Sequence, residues 1–241
     1  MQIEGKNQVR ELLSTDKTIE KISVLDGTRD EDIRLLIKLA KERQAKVEFL
    51  DKRAMDKLSL TSHHQGIIAT VTEFKYSDLD EVINKAKDKD QDLLFIILDG
   101  VSDPHNLGSV MRVAECAGAT AVIIPKNRAV SVNETVVRVS AGASEHVDVI
   151  KVTNINATIE DLKKRGVFVY AADMDGEEMY KTNLTGNIAL VVGSEGFGVS
   201  KLTRKVCDGI ISIPMFGKVN SLNASVSAGI VVYEAVRQRR K

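Results

Sequence analysis

The chain has 241 residues, 43% hydrophobic and 28% charged, with 34 basic and 34 acidic side chains and a formal net charge of zero. That length allows two domains or one large one, the composition is soluble-globular, and a neutral chain that binds nucleic acid must do so through a local basic patch. No apolar run reaches the roughly 18 residues that would span a bilayer, and the N-terminus lacks an apolar signal region, so a cytoplasmic protein with no membrane partner is expected. Cys116 and Cys207 lie far apart without metal-ligand spacing. Both read as free small residues, in the core or near the surface, since a reducing compartment disfavours a disulfide.

Residues 1–74 read as a small α/β unit. A short helix is expected over Asn7 to Leu13 and a strand over Ile19 to Leu25. An amphipathic helix spans Asp30 to Gln44, with Ile33, Leu36, Ile37 and Ala40 at helical spacing. A strand follows at Lys46 to Leu50. Asp51 can cap a helix running to Leu58, and Gly66 to Glu73 is an apolar, β-branched strand. This order suits a two-layer or three-layer α/β fold. His63 and His64 sit in a polar turn with no further ligands nearby. A turn pair, touching RNA if the chain binds it, is expected rather than a metal site. Residues 75–92 have few large apolar groups, and Asp88 to Asp92 is too charged to bury, which predicts a linker with at most a short helix from Ser77.

From Leu93 onward strands and helices alternate. Strands are expected at Leu93–Leu98, Thr120–Ile124, Val147–Val152, Val167–Ala171, Ile188–Val192 and Gly209–Ile213. Helices are expected at Leu107–Ala117, Glu134–Gly142, Ile155–Arg165, Ser200–Val206 and Ala224–Gln238. The pattern predicts an α/β domain with a mostly parallel sheet and helices on both faces. A nicotinamide-binding Rossmann domain would place G-x-G-x-x-G after the first strand. Here that strand exits into Asp99-Gly100-Val101-Ser102-Asp103-Pro104, and the glycine run Gly193–Gly198 follows a late strand instead. The terminal run Arg237-Gln238-Arg239-Arg240-Lys241 reads as a solvated helix end that suits the macrodipole.

The most informative stretch is Ile211 to Val226. Pro214 should stop a strand, Gly217 permits a bend, and Asn220 or Ser221 can cap the helix that follows. Val226, Ile230, Val231, Tyr233 and Val236 would give that helix its apolar stripe. Ser221, Asn223, Ser225 and Ser227 are indifferent helix formers, so its opening turn is suited to close packing against another backbone or a ligand.

Ile213-Pro214-Met215-x-Gly217-x-Val219-x-Ser221-Leu222-Asn223-x-Ser225-Val226 resembles the third motif of the SpoU family of RNA ribose 2′-O-methyltransferases, in the SPOUT class. Asp103-Pro104-His105-Asn106-Leu107-Gly108-Ser109-Val110-Met111-Arg112 resembles the first motif, and Gly193-Ser194-Glu195-Gly196-Phe197-Gly198 the second. The resemblance covers residues 93–240 closely and the N-terminal third more loosely. It implies a catalytic domain at 93–241 with a C-terminal trefoil knot, preceded by an L30e-like domain that grips RNA. The stretches Glu4-Gly5-Lys6-Asn7 and His64-Gln65-Gly66-Ile67 look like that domain's ends. It further implies S-adenosyl-L-methionine as methyl donor, contacted by Gly193, Ile213 and Leu222. It also implies a homodimer joined through the catalytic domain, with active sites drawing on both subunits. The substrate it suggests is a guanosine ribose of 23S ribosomal RNA. A transfer RNA substrate, or a non-catalytic RNA-binding protein of the same fold, stands as the alternative.

The candidate catalytic residues by the same resemblance are Arg112, Asn106, Glu195, Ser221 and Asn223, with no metal. A guanidinium stays protonated and is a poor base, so Arg112 is expected to clamp a phosphate and acidify the neighbouring hydroxyl. Six positions separate Asn106 from Arg112, so the two need not share a helix face, and Asn106 is expected to cap the helix. Glu195 could fix Asn106 or Arg112, or stand as a solvent-exposed loop acid. Ser221 and Asn223 could bond ribose or donor, or serve only as caps. His105 is a weaker candidate base.

Overall fold

The computed structural model describes residues 2–14, 18–43, 45–72, 74–218 and 221–240. Several expected positions lie outside the described residues: the helix end at Gln44, the strand end at Glu73, Val219, the cap candidate Asn220, and Lys241. The chain divides into two compact units, with the boundary between Lys75 and Tyr76.

The first unit is a mixed four-stranded sheet, β1 (Gln2–Glu4), β2 (Thr18–Leu25), β3 (Lys46–Leu50) and β4 (Ile67–Thr72), in the order β1-β4-β2-β3. β4 runs antiparallel to β1 and β2, while β2 and β3 are parallel. The short β1 carries too few residues to show a period and was not expected. Helices α1 (Lys6–Leu13) and α2 (Glu31–Glu42) bury Val9, Leu12, Ile33, Leu36 and Ala40 against Ile22, Val24, Ile67, Ala69 and Val71. Asp30 caps α2 by accepting the Asp32 and Ile33 amides, and Asp51 caps α3 (Lys52–Leu58) at Ala54. Met55 of α3 and Ile68 are buried. Ile68 alternates with Ile67 and Ala69, so it faces the other side of the sheet, and the unit has three layers.

The turn after α3 is held by one carboxylate. Glu4 accepts from the Ser59 hydroxyl at 2.7 Å, the Leu60 amide at 2.5 Å, and the Thr61 amide and hydroxyl at 3.3 and 2.5 Å. His64 pins the far side of the turn. Its Nδ1 accepts from the Gly66 amide at 3.0 Å, which leaves the proton on Nε2, 3.1 Å from Asp56. His64 therefore has a structural job.

The second unit carries β5 (Leu94–Asp99), β6 (Ala121–Pro125), β7 (Val149–Val152), β8 (Phe168–Glu178), β9 (Ile188–Gly193) and β10 (Gly209–Ser212) in the order β10-β8-β9-β5-β6-β7. All five pairings are parallel. Both faces are covered, as the unbroken apolar run of β5 required. Phe95, Ile97, Ile123, Val169 and Val191 face a core with α4 (Leu79–Lys87) and α7 (Ile155–Lys164). Leu94, Ile96 and Leu98 alternate to the opposite face, where α5 (Pro104–Ala117) and α9 (Ala224–Arg239) pack. The remaining helices are α6 (Glu134–Val139) and α8 (Lys201–Val206). Burial pushes the Cys207 thiol up to about 12, with the Asp208 carboxylate adding to it, so this thiol is not a nucleophile at neutral pH.

Four expectations are corrected. The stretch read as a linker holds α4, whose Val82, Ile83 and Ala86 are buried in the second unit's core. Three small-to-medium residues on one face sufficed, although the segment is polar overall. β8 extends seven residues past Ala171, because β10 pairs with its far end. The buried face of α9 is Ala224, Ala228, Val231, Val232 and Ala235, while Val226 and Tyr233 are exposed. Alanines permit close approach to α5, where a Cβ at Gly229 would stand 3.7 Å from Val113. The basic tail is not simply solvated. Arg237 makes two 2.8 Å bonds to the buried Glu234, and the half-buried Arg239 donates to the Leu93 and Gly186 carbonyls.

Burial would raise the Glu4 carboxyl, but the Thr61, Leu60 and Ser59 donors outweigh it and hold it at about 2, against 4.5 unperturbed. A depressed folded-state value contributes stability above the unfolded value and loses it as pH falls toward the folded one. Urea melts of wild type and Glu4→Gln should therefore differ at pH 7 and converge as the pH approaches 2. Superimposable curves at pH 7 would contradict this role for Glu4.

Candidate functional site

The bulged middle of β8 and the loops leaving the carboxyl ends of β9 and β10 meet around a cleft of about 690 Å³. This is the edge of a parallel sheet at which ligands bind, and the size is that of a small-molecule pocket. Gly193, Glu195, Ile213, Ser221, Leu222 and Asn223 all line it. Asn106 lies beside them, 4% exposed.

Asn106, Glu195 and Asn223 are joined directly. Asn106 Nδ2 donates to Glu195 Oε1 at 2.5 Å. Asn223 Nδ2 donates to the same oxygen at 2.7 Å and to Asn106 Oδ1 at 3.0 Å. Asn223 is also the cap of α9, its Oδ1 accepting the Ser225 and Val226 amides. Those amides fix which end of the Asn223 side chain points away, so its NH2 must face Glu195. The expected caps are corrected accordingly. Asn223, not Ser221, caps α9. Asp103, not Asn106, caps α5, accepting the His105 amide with Pro104 at the first helical position. Asn106 is thereby free to turn inward. Glu195 is an interloop acceptor rather than a loop acid facing only water.

The turn after β9 is tight. Ser194 and Gly198 exchange both backbone bonds, at 3.2 and 2.9 Å. A Cβ on Gly193 would lie 1.9 Å from the Gly198 carbonyl carbon and 2.2 Å from the Val199 nitrogen. Glycine is required at this position by the chain's own return path, before any ligand is considered. The Ser200 amide donates to Asp99 Oδ2 at 2.9 Å and ties this turn to the end of β5.

Asp173, Asp175 and Arg204 also line the cleft and were not singled out in the sequence. Ile210 pairs with Ala171, but its neighbour Ile211 pairs with Glu177. Residues 172–176 therefore have no counterpart in β10 and bulge toward the cleft. Arg204 reaches Asp173 at 3.4 Å and Asp175 at 3.3 Å. The signal in the sequence was weak: two aspartates one residue apart after an apolar strand, before Gly176.

Arg112 is placed differently from the rest. It is exposed on α5, is not among the cleft's lining residues, and has no ion-pair partner among the described residues. The structure thus brings together every candidate but Arg112. His105, on the first turn of α5, is likewise outside the lining.

The donor set suits a cationic nucleoside. Val192, Ile213, Met215 and Leu222 offer apolar walls and Glu195 a carboxylate, while those of Asp173 and Asp175 are paired with Arg204. No helix of the described residues is long and apolar enough to cross a membrane.

Comparison with known proteins agrees with this geometry. The model of the SpoU rRNA Methylase family matches residues 93–233, and that of RNA 2′-O ribose methyltransferase substrate binding matches residues 2–77. YacO of Bacillus subtilis (strain 168), whose name assigns it to the TrmH family of tRNA/rRNA methyltransferases, is 41% identical over 237 residues, 98% of this chain and 94% of its own length. The SpoU methyltransferase AviRb from Streptomyces viridochromogenes, solved with AdoMet, shares the fold with a TM-score of 0.63 over 99% of this chain and 90% of its own, at 23% identity. The A. aeolicus TrmH/SpoU tRNA modifying enzyme is 28% identical with a TM-score of 0.57, covering 66% of this chain and 85% of its own.

Gly193→Ala must displace backbone and should cost about 3 kcal/mol, the upper end of ordinary overpacking, or roughly 6–12 °C in Tm for a chain of this size. Gly196, at φ +82° with open space around it, should cost only the roughly 1–2 kcal/mol of a left-handed alanine. Thermal melts showing the reverse order would refute the return-path account.

Proposed function

The chain belongs to the SpoU rRNA methylase family, and from that premise we propose that this RNA methyltransferase passes the methyl group of S-adenosyl-L-methionine to a ribose 2′-hydroxyl, in a guanosine of 23S ribosomal RNA. The observation that carries the reading is the Asn106–Glu195–Asn223 bonding at the wall of a cleft lined by Gly193, Ile213, Ser221 and Leu222. The transfer RNA reading is favoured by the likeness to two solved enzymes described as acting on tRNA, which cover 66% and 61% of this chain. Against it stands the match of residues 2–77 to the model of RNA 2′-O ribose methyltransferase substrate binding, since the two tRNA enzymes cover only 66% and 61% of this chain. A cytoplasmic setting follows from the substrate.

S-adenosyl-L-methionine, when bound, supplies an activated methyl carbon to the attacking ribose oxygen. Ile213 and Leu222 would offer apolar walls to the adenine, and backbone groups from Gly193 onward would orient the donor. Glu195, kept in place by Asn106 and Asn223, presents a fixed acceptor, and Ser221 bonds ribose or donor. Arg112 clamps a substrate phosphate and lowers the hydroxyl's pKa by its charge. The hydroxyl proton leaves to that phosphate or to water.

The position of Arg112 outside the lining of its own cleft supports a site completed by a second copy. The outer face of α9, with Val226 and Tyr233 exposed and Ile230 half-buried, supplies apolar surface for pairing through the catalytic domain. Two inactive variants, Arg112→Ala and Glu195→Ala, should complement when co-refolded, because each mixed dimer regains one intact site. Random pairing would recover about a quarter of wild-type activity. No recovery would rule out sharing, and near-normal activity of Arg112→Lys would rule out the two-pronged clamp. Ribose-methylation mapping of ribosomal and transfer RNA from a deletion strain decides between the two substrates.

A further inference from the structure

Two phenylalanine rings stand almost wholly in water at the mouth of the cleft. Phe197, in the turn after β9, is 93% exposed and lines the cleft. Phe216, beside the lining residue Met215, is 98% exposed. The chain has six phenylalanines, four tyrosines and no tryptophan, so the two most exposed rings of a scarce kind are both at this one place. Burying such a ring is stabilising, and neither ring takes that gain within its own chain. Glycines adjoin both rings in the chain. Gly196 and Gly198 flank Phe197 at φ +82° and +64°, and Gly217 follows Phe216 with nothing within 4 Å of where a Cβ would stand. Each ring also has an exposed cation close in sequence, Lys201 after Phe197 and Lys218 after Phe216. Aromatic faces alternating with cations form the surface on which unpaired nucleic acid bases stack while the backbone is held electrostatically. A paired RNA helix offers no free base faces and would leave the rings idle.

We propose that Phe197 and Phe216 are stacking platforms for unpaired bases flanking the methylated ribose, with Lys201 and Lys218 beside the phosphates. The substrate is then a stretch of RNA whose bases are splayed out, not a duplex. This rests on the RNA-methylation reading above and deepens it.

The test is equilibrium binding of an unpaired RNA oligonucleotide carrying 2-aminopurine, with the same strand annealed to its complement as control. It reads stacking by fluorescence quenching whether or not turnover occurs, so failure of the methylation reading is seen separately in a methyl-transfer assay. Phe197→Leu and Phe216→Leu, which keep apolar bulk but lose the ring, should each weaken binding of the unpaired strand about tenfold and reduce its quenching, in line with the stacking seen per base. Phe→Trp at either position should restore both, and the duplex should bind alike to all forms. Leu variants that bind the unpaired strand within twofold of wild type overturn the proposal. So does a fall of the particle mass in light scattering, which would make the rings part of an interface between copies. An equal loss of S-adenosylmethionine affinity by calorimetry also overturns it, since the rings would then cover the donor.

Discussion

One shared oxygen organises the second unit. Glu195 Oε1 takes an amide proton from Asn106 and another from Asn223. The three residues come from the first turn of α5, the turn after β9 and the start of α9. α5 and α9 pack on one face of the sheet, and the bonds to Glu195 tie the turn after β9 to both of them. Asn106 is buried, and a buried amide is tolerated only when its hydrogen-bonding capacity is met. Here it donates to Glu195 and accepts from Asn223. The arrangement is therefore stiff, and it sets the cleft wall before any ligand enters.

A second constraint is how closely the backbone passes itself. At Gly193 and at Gly176 a side chain would collide with main-chain atoms, of Gly198 and Val199 in one case and of Ile210 and Ile211 in the other. The first approach folds the β9 turn back on itself. The second brings β10 past the far end of β8 and leaves residues 172–176 outside the ladder. Both glycines serve the chain's own path, and the carboxylates of Asp173 and Asp175 reach the cleft as a result.

The division of labour that emerges is uneven. The cleft is built within one chain, from loops tied to one another and to Asp99. The cation read as acting on the substrate, Arg112, stands on an exposed part of α5 with no internal partner among the described residues to hold it. An arginine left free in this way is available to a phosphate, and the outer face of α9 leaves Val226 and Tyr233 exposed. The first unit has its own rigidifying carboxylate in Glu4, which fixes the turn carrying His63 and His64.

Much was legible from residue order alone. The helices over Asp30–Glu42, Lys52–Leu58 and Ile155–Lys164 announced themselves through apolar spacing and caps, signals carried within one or two turns. The three motif stretches carry Asn106, Gly193, Glu195, Ile213, Leu222 and Asn223, which the structure brings together at one cleft. Three other features were not legible: that α4 would pack into the second unit, that β8 would run on to Glu178, and that α9 would bury its alanines and leave Val226 and Tyr233 outside. Each depends on what lies opposite a residue in space, from strands and helices up to a hundred positions away. Caps, periods and turns are decided by neighbours along the chain, so the sequence carried them. Strand register, the choice of buried face and the meeting of Asn106 with Asn223 are decided by partners across the fold, so only the tertiary structure could supply them.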